Sequence, residues 1–182
     1  MVRFKHRYLL CELVFPTCGS LDYLASEPTS TTAAVPSISE SAIIHLLRDS
    51  LSVNFGDVGS GEVGGTFSVK YLSPSTSTLI LRVSREHYRT LWASLTLLRK
   101  VGGHPVVTRV THVSGTIRKI QHRAIALDRE HILRSHRKRL VERLGPQRRP
   151  ADSSVGRSGD VEEDEVEARL KDSRDKIMAL EA

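Results

Sequence analysis

Basic side chains occupy two places in the sequence where they could bind phosphate groups. The first is the opening segment MVRFKHRYLLCELVF, where they directly precede an apolar run; they are Arg3, Lys5, His6 and Arg7. The second begins at a glycine, and its candidates are Gly115, Thr116, Arg118, Lys119, His122 and Arg123. A helix starting there would direct free amide groups and the positive end of its dipole at an anion. We predict that these ten residues bind an anion; the alternative is a solvated basic surface.

The sequence shows no arrangement of residues typical of catalysis or metal binding. It has no G-x-S-x-G, no H-E-x-x-H and no cysteine-histidine framework at zinc spacing. The stretch GSGEVGG at 59–65 lacks the Lys-Ser/Thr pair of a P-loop, and we interpret it as a flexible connector. Cys11 and Cys18 are interpreted as reduced thiols, with a disulfide as the alternative. We therefore predict no catalytic residues, no metal site and no cofactor.

The charge of the chain is strongly asymmetric. Residues 1–150 contain 22 Lys and Arg against 11 Asp and Glu, whereas residues 151–182 contain 5 against 10. A body this basic favours a polyanionic partner, because each neutralised phosphate releases condensed counterions. No apolar stretch reaches the ~20 residues of a membrane span, and the N-terminus lacks the cleavage site of a signal peptide. We expect a nucleic acid rather than a membrane as the partner, inside the cell.

Hydrophobic periodicity predicts seven elements of secondary structure. An almost unbroken apolar run from Tyr8 to Phe15 predicts a strand buried on both faces. The other predictions are a helix over about 38–55, strands over 67–71 and 79–83, a helix over 88–98 ended by Gly102-Gly103, a strand over 105–113, and a basic helix from 116.

This order of elements is that of an α+β, ferredoxin-like or RNA-recognition-motif-like two-layer sandwich, βαββαβ plus a C-terminal helix. The predicted domain covers residues 1–144, with a flexible loop insertion at 16–37 and a basic helical extension at 116–144. Residues 145–182 are predicted to be an acidic tail, disordered or a marginal helix. Two helices would cover one face of the sheet and leave the other face for a partner.

Aromatic side chains could give such a fold a surface on which bases stack. We expect Phe67 and Tyr71 to face the core, which would make the sheet a poor stacking platform. Tyr88 and Trp92 share one face of the second helix, and we interpret them as core residues, with a binding platform as the alternative. Charge and shape should therefore dominate any binding of RNA.

Two segments of the sequence resemble a known family. The opening MVRFKHRYLLCELV and the segment HVSGTIRKIQ at 112–121 are similar to the eukaryotic Pop-five family, subunits shared by ribonuclease P and ribonuclease MRP. The order of elements over residues 1–127 agrees with that family, although Ser114 stands where the family usually has glycine. The resemblance implies a non-catalytic protein of an RNA-based endoribonuclease, in which RNA and bound metal cleave the substrate.

The resemblance also implies partners and a location. The partners would be the catalytic RNA, a TIM-barrel-like Rpp subunit and a related small ferredoxin-like subunit, in the nucleus and nucleolus. Ribonuclease P matures the 5′ ends of transfer RNA, and ribonuclease MRP acts in ribosomal-RNA processing. Two other functions stay open at this point. One is a free-standing nuclear RNA-binding protein, and the other is a small acylphosphatase-like enzyme, whose anion-binding loop would need an arginine that GSGEVGG lacks.

Overall fold

The computed structural model describes residues 5–16, 38–144 and 159–180. Its elements are β1 (His6–Val14), α1 (Glu40–Gly64), β2 (Ser68–Ser73), β3 (Thr78–Ser84), α2 (Tyr88–Leu97), β4 (Lys100–Val101), β5 (His104–Pro105), β6 (Val107–Ser114), α3 (Ile117–Leu144) and α4 (Gly159–Met178). The predictions for Arg3, for Cys18 and for the loop insertion beyond Pro16 lie outside the described residues. No helix in the described ranges is long and apolar enough to cross a lipid bilayer.

Four strands form one antiparallel sheet in the order β2-β3-β1-β6. This is the order of the ferredoxin-like fold, so the predicted fold class is confirmed. The apolar run of the N-terminus is an interior strand, and adjacent residues Leu9 and Leu10, which point to opposite faces, are both fully buried. Gly102 and Gly103 form the turn of a separate β4-β5 hairpin rather than ending α2, which stops at Leu97.

The chain forms two compact units, the first through Ile120 and the second from Gln121 to Glu181. In the first unit, α1 and α2 pack on one face of the sheet. The buried core of that unit comprises Leu9, Cys11, Leu13, Phe15, Ile43, Leu47, Leu51, Val63, Phe67, Leu79, Leu81, Val83, Leu91, Leu95, Val101 and Val106.

The second unit contains most of α3 together with α4. The Gln121 side-chain amide donates hydrogen bonds to the carbonyl oxygens of Ile177 (3.1 Å) and Leu180 (2.9 Å) at the end of α4. The Ser173 hydroxyl donates to the buried Asp128 carboxylate at 2.7 Å. The acidic tail was predicted to be disordered or a marginal helix, and its described part contains the helix α4.

Helix α1 is longer than predicted, because residues 57–64 continue it. Gly56 has φ +64 and ψ −161, a conformation that kinks the helix and that only glycine adopts without strain. Beyond the kink, Val63 is fully buried and the Gly64 carbonyl accepts a hydrogen bond from Arg48 Nε at 3.2 Å. The interpretation of GSGEVGG as a flexible connector is therefore wrong for the residues that continue α1, since tertiary contacts outweigh the low helix propensity of glycine.

The second face of the sheet also differs from the prediction. The register shifts between Val69 and Tyr71, so that Tyr71 lies opposite Ile80 instead of facing the core with Phe67. Leu10 and Ile80 on this second face have no exposed area. The prediction that this face is open to a partner is therefore wrong at its centre.

Candidate nucleic-acid interface

The register of the sheet places the two predicted basic segments at one edge. His6 pairs with Ser84 at the end of β3, and Tyr8 pairs with Ser114 at the end of β6. The Arg85 amide continues this pairing by donating to the Lys5 carbonyl at 2.9 Å. We call this end of the first unit the basic edge; it comprises Lys5, His6, Arg7, Arg82, Arg85, Arg89, Gly115, Thr116, Arg118 and Lys119.

The side chains of β1 reach this edge on two faces, because successive residues of a strand alternate. Arg7 pairs with Val83 on the face that carries α1 and α2, whereas His6 lies on the other face. Of the basic residues that precede the apolar run, His6 and Arg7 therefore lie at one edge of the sheet but on opposite faces.

His6 contributes little charge to this edge at neutral pH. Burial, followed by the nearby positive charge of Arg82, lowers the pKa of His6 from its ordinary 6.5. The imidazole is therefore largely neutral near pH 7. It can hydrogen-bond to a ligand as a neutral group.

Gly115 joins the N-terminal segment to the start of α3. A Cβ atom built on Gly115 would collide with the Arg7 guanidinium, so the absence of a side chain is what lets this cation lie against the backbone before the helix. A hydrogen bond spans this glycine: the Thr116 amide donates to the Ser114 hydroxyl at 3.3 Å. The two segments that the sequence singled out thus meet at an Arg7–Gly115 contact.

The first turn of α3 separates buried from exposed side chains. Ile120 is fully buried, whereas Arg118 and Lys119 are exposed in the same turn. These two cations belong to the first unit. His122 and Arg123 are also exposed on α3, but they belong to the second unit, and the structure does not assign them to the basic edge.

The structure adds residues that the sequence analysis missed, all at the junction of β3 and α2. Arg89 Nε donates to the Tyr88 hydroxyl at 3.3 Å, and the guanidinium carbon lies 5.9 Å from the centre of the Tyr88 ring. The hydrogen bond and charge of Arg89 lower the pKa of Tyr88, and the charges of Arg7 and Arg85 lower it further. The sequence signal for these residues was the run SREHYR at 84–89, which begins at the last residue of β3. Because β3 is antiparallel to β1, it ends where β1 begins, so this run lies beside the cations that precede β1.

The cations of the basic edge form no ion pair with a carboxylate in the described part of the chain. Among the residues that the structure describes, no carboxylate lies within 4.0 Å of a charged nitrogen of Arg7, Arg85, Arg118 or Lys119, and the same holds for Lys5, Arg82 and Arg89. Carboxylates do pair elsewhere, as Glu12 does with Arg109 at 2.6 Å across β1 and β6. Positive charge at the edge is therefore available to an external anion.

No cluster of three or more His, Cys, Asp or Glu side chains that could hold a metal ion occurs within the described ranges. Cys11 is a free, fully buried thiol, and burial raises its pKa to about 12. A thiol in this state is chemically inert, because the thiolate is the reactive form.

Comparison with known proteins relates the chain to one family. The sequence model of the Rpp14/Pop5 family matches residues 7–125. The chain is 45% identical over 132 residues to the ribonuclease P/MRP protein subunit POP5 of Schizosaccharomyces pombe, covering 72% of this chain and 91% of that relative. It is 34% identical over 137 residues to the subunit of the same name in Homo sapiens, covering 73% of this chain and 76% of that relative. A chain in the cryo-EM structure of yeast ribonuclease MRP superimposes with a TM-score of 0.45 at 15% identity, covering 64% of this chain and 79% of that one.

Proposed function

The chain belongs to the Rpp14/Pop5 family, and from this premise we propose that it is a non-catalytic protein subunit of the ribonucleoprotein endoribonucleases P and MRP. In these particles it binds the catalytic RNA and supports the maturation of transfer-RNA 5′ ends and the processing of ribosomal RNA. Relatives named as ribonuclease P/MRP subunits support this assignment. Cleavage belongs to the RNA and its metal ions, and the protein supplies binding and charge neutralisation.

The observation that carries the proposal is the basic edge. Segments that are distant in sequence, at the start of β1, the end of β3 and the start of α3, contribute cations to one end of the fold. None of these cations is neutralised by a described carboxylate. Folded RNA presents closely spaced phosphates, and releasing its condensed counterions favours association with such a surface.

The proposed RNA contacts divide by mechanism. Direct phosphate contacts come from Arg3, Lys5, Arg7, Arg85, Arg118 and Lys119. Gly115 and Thr116 lie at the start of α3, where the helix N-terminus favours phosphate, and Gly115 lets the Arg7 guanidinium lie beside it. His6 acts as a neutral hydrogen-bonding group. His122 and Arg123 extend the contact along α3.

The proposal includes protein partners and a location. The particle would hold the chain beside a TIM-barrel-like Rpp subunit and a related small ferredoxin-like subunit. Its place would be the nucleus and the nucleolus, where precursors of transfer and ribosomal RNA are processed. Family membership supports these assignments.

Purification of the tagged full-length chain from nuclear extract tests the proposal. We expect the RNAs of ribonucleases P and MRP to co-purify, together with an Rpp subunit, and the eluate to process a transfer-RNA precursor. A variant with Arg118→Ala and Lys119→Ala should retain less of this RNA. Recovery of unrelated RNAs alone would support a free-standing RNA-binding protein instead. Hydrolysis of an acyl phosphate by the isolated chain would support an enzyme.

A further inference from the structure

The geometry points to an RNA contact of a different kind, on α2. We propose that Trp92 stacks on an unpaired base of an RNA strand whose phosphates lie on Arg7, Arg85 and Arg89. The inference rests on the proposed function and specifies the form of RNA bound next to the basic edge. It assigns a stacking role to a residue that the sequence analysis placed in the core.

Trp92 is unusually exposed for the only tryptophan of the chain. Leu91 and Leu95 fill the core side of α2 and are buried, whereas Trp92 is 41% exposed. With a side chain of this size, roughly 60–100 Å² of indole surface faces solvent. The interpretation of Trp92 as a core residue is therefore wrong, and the alternative of a binding platform becomes the better one.

The position of Trp92 on the helix leaves this surface accessible within the first unit. Ser94 marks the side of α2 that faces α1, because its hydroxyl lies 3.0 Å from the Ser50 hydroxyl. Trp92 is two residues from Ser94, which places it on the opposite side. Tyr88 is half-buried and packs against the core, as predicted, and its place four residues from Trp92 puts both rings on one flank of α2. That flank begins at the basic edge.

The charges around this flank favour an anion. Arg89 is bonded to the Tyr88 hydroxyl, and the charges of Arg7 and Arg85 also act on that group. Two carboxylates also lie near the start of α2: the exposed Glu86, and Glu62 of α1, whose carboxylate is 3.3 Å from His87 Nδ1. An aromatic surface flanked by arginines that pair with no described carboxylate has the composition of grooves that bind single-stranded nucleic acids.

The aromatic group also distinguishes between forms of RNA. A base within a duplex has both faces stacked, so an indole cannot cover it without unpairing the helix. An unpaired base exposes a face that any aromatic side chain can cover. The flank of α2 therefore fits a loop, bulge or junction strand, whereas the cations alone would bind a duplex equally well.

The single tryptophan provides a direct assay. The full-length chain is titrated at low salt with an unstructured RNA of about twelve nucleotides, and separately with a blunt duplex of that length. We expect the unstructured RNA to quench Trp92 emission and to protect it from acrylamide. The duplex should bind without quenching.

Variants separate stacking from charge. Trp92→Ala should weaken binding of the unstructured RNA roughly 5- to 150-fold and leave duplex binding unchanged. Trp92→Phe should restore most of the affinity. The matched control is Leu97→Ala, because Leu97 is 48% exposed on the same helix and should not contribute.

The outcomes distinguish this inference from the proposed function. Salt-dependent binding of RNA without quenching, and with no loss in Trp92→Ala, would overturn the stacking role and leave the function intact. Loss of a co-purifying protein from Trp92→Ala at unchanged RNA affinity would make the flank a protein interface and would also overturn it. Failure of the wild-type chain to bind either RNA would overturn both.

Discussion

The pair Arg118 and Lys119 offers the sharpest test of the basic edge. Both side chains are exposed in the first turn of α3, and neither forms an ion pair with a described carboxylate. Replacing both by alanine removes two proposed phosphate contacts while Ile120 and the rest of the core face stay in place. The loss should therefore affect RNA binding and not folding.

The magnitude follows from counterion release. Each phosphate contact contributes about 0.7 to the slope of log affinity against log salt for a single strand and about 0.9 for a duplex. Two contacts correspond to a slope shallower by ~1.4–1.8. Over a fourfold rise in salt, from about 50 to about 200 mM, the ratio of wild-type to variant affinity should narrow roughly seven- to twelvefold.

Fluorescence anisotropy with the RNA that co-purifies with the chain measures this slope over a salt series. The matched control is Arg99→Ala with Lys100→Ala, a pair of exposed cations in the same unit. This pair lies near the start of β6, beside Val14 at the opposite end of β1 from the basic edge. It should leave the slope unchanged. Equal slopes for the wild type and the Arg118/Lys119 variant, or equal changes in both variants, would refute a localised basic edge.

Three further predictions concern the contacts that build the site and its core. Gly115→Ala should displace the flexible Arg7 guanidinium, changing the free energy of unfolding by less than ~1 kcal/mol but flattening the salt slope by ~1; an unchanged slope would show that Arg7 does not bind phosphate. Leu9→Ala in the fully buried centre of β1 should lower the free energy of unfolding by ~2–5 kcal/mol in urea denaturation, and a loss under ~1 kcal/mol would contradict an interior strand. In a Cys18→Ser variant, Cys11 should resist a thiol reagent at pH 9 until the protein is unfolded, because burial raises its pKa to about 12; fast labelling of the folded chain would contradict this. Since the folded pKa of Cys11 exceeds the unfolded value of 9.0, its contribution to stability is complete below pH 9 and decreases as the pH rises towards 12.

The sequence predicted the fold where local patterns reflect burial directly. The run from Tyr8 to Phe15 is apolar except at Glu12, which predicts a strand covered on both faces; the structure confirms an interior strand in which every residue of this run except Val14 is buried. The partner strand β3 was also predicted, from Leu79, Leu81 and Val83 at the period of a strand; in the structure these residues are buried, and so is Ile80 between them. In these segments the environment of each residue is determined by its nearest neighbours along the chain.

Predictions failed where a single residue altered the local geometry. The register shift after Val69 moved Tyr71 to the other face of the sheet, since the side-chain period of a strand is two. The kink at Gly56 allowed a second helical segment that composition disfavours, because contacts of Val63 and Arg48 stabilise it. Neither the bulge nor the kink leaves a pattern in hydrophobicity.

The sequence alone determined that this chain is basic, that an apolar strand lies at its centre, and that two basic segments could bind phosphate. Only the tertiary structure decided that these segments meet at an Arg7–Gly115 contact, that Arg85 and Arg89 join them, and that Trp92 of α2 is exposed to solvent. The physical reason is that composition and periodicity depend on residues a few positions apart. The meeting of residues a hundred positions apart depends on strand order and register, which arise only when the whole sheet forms.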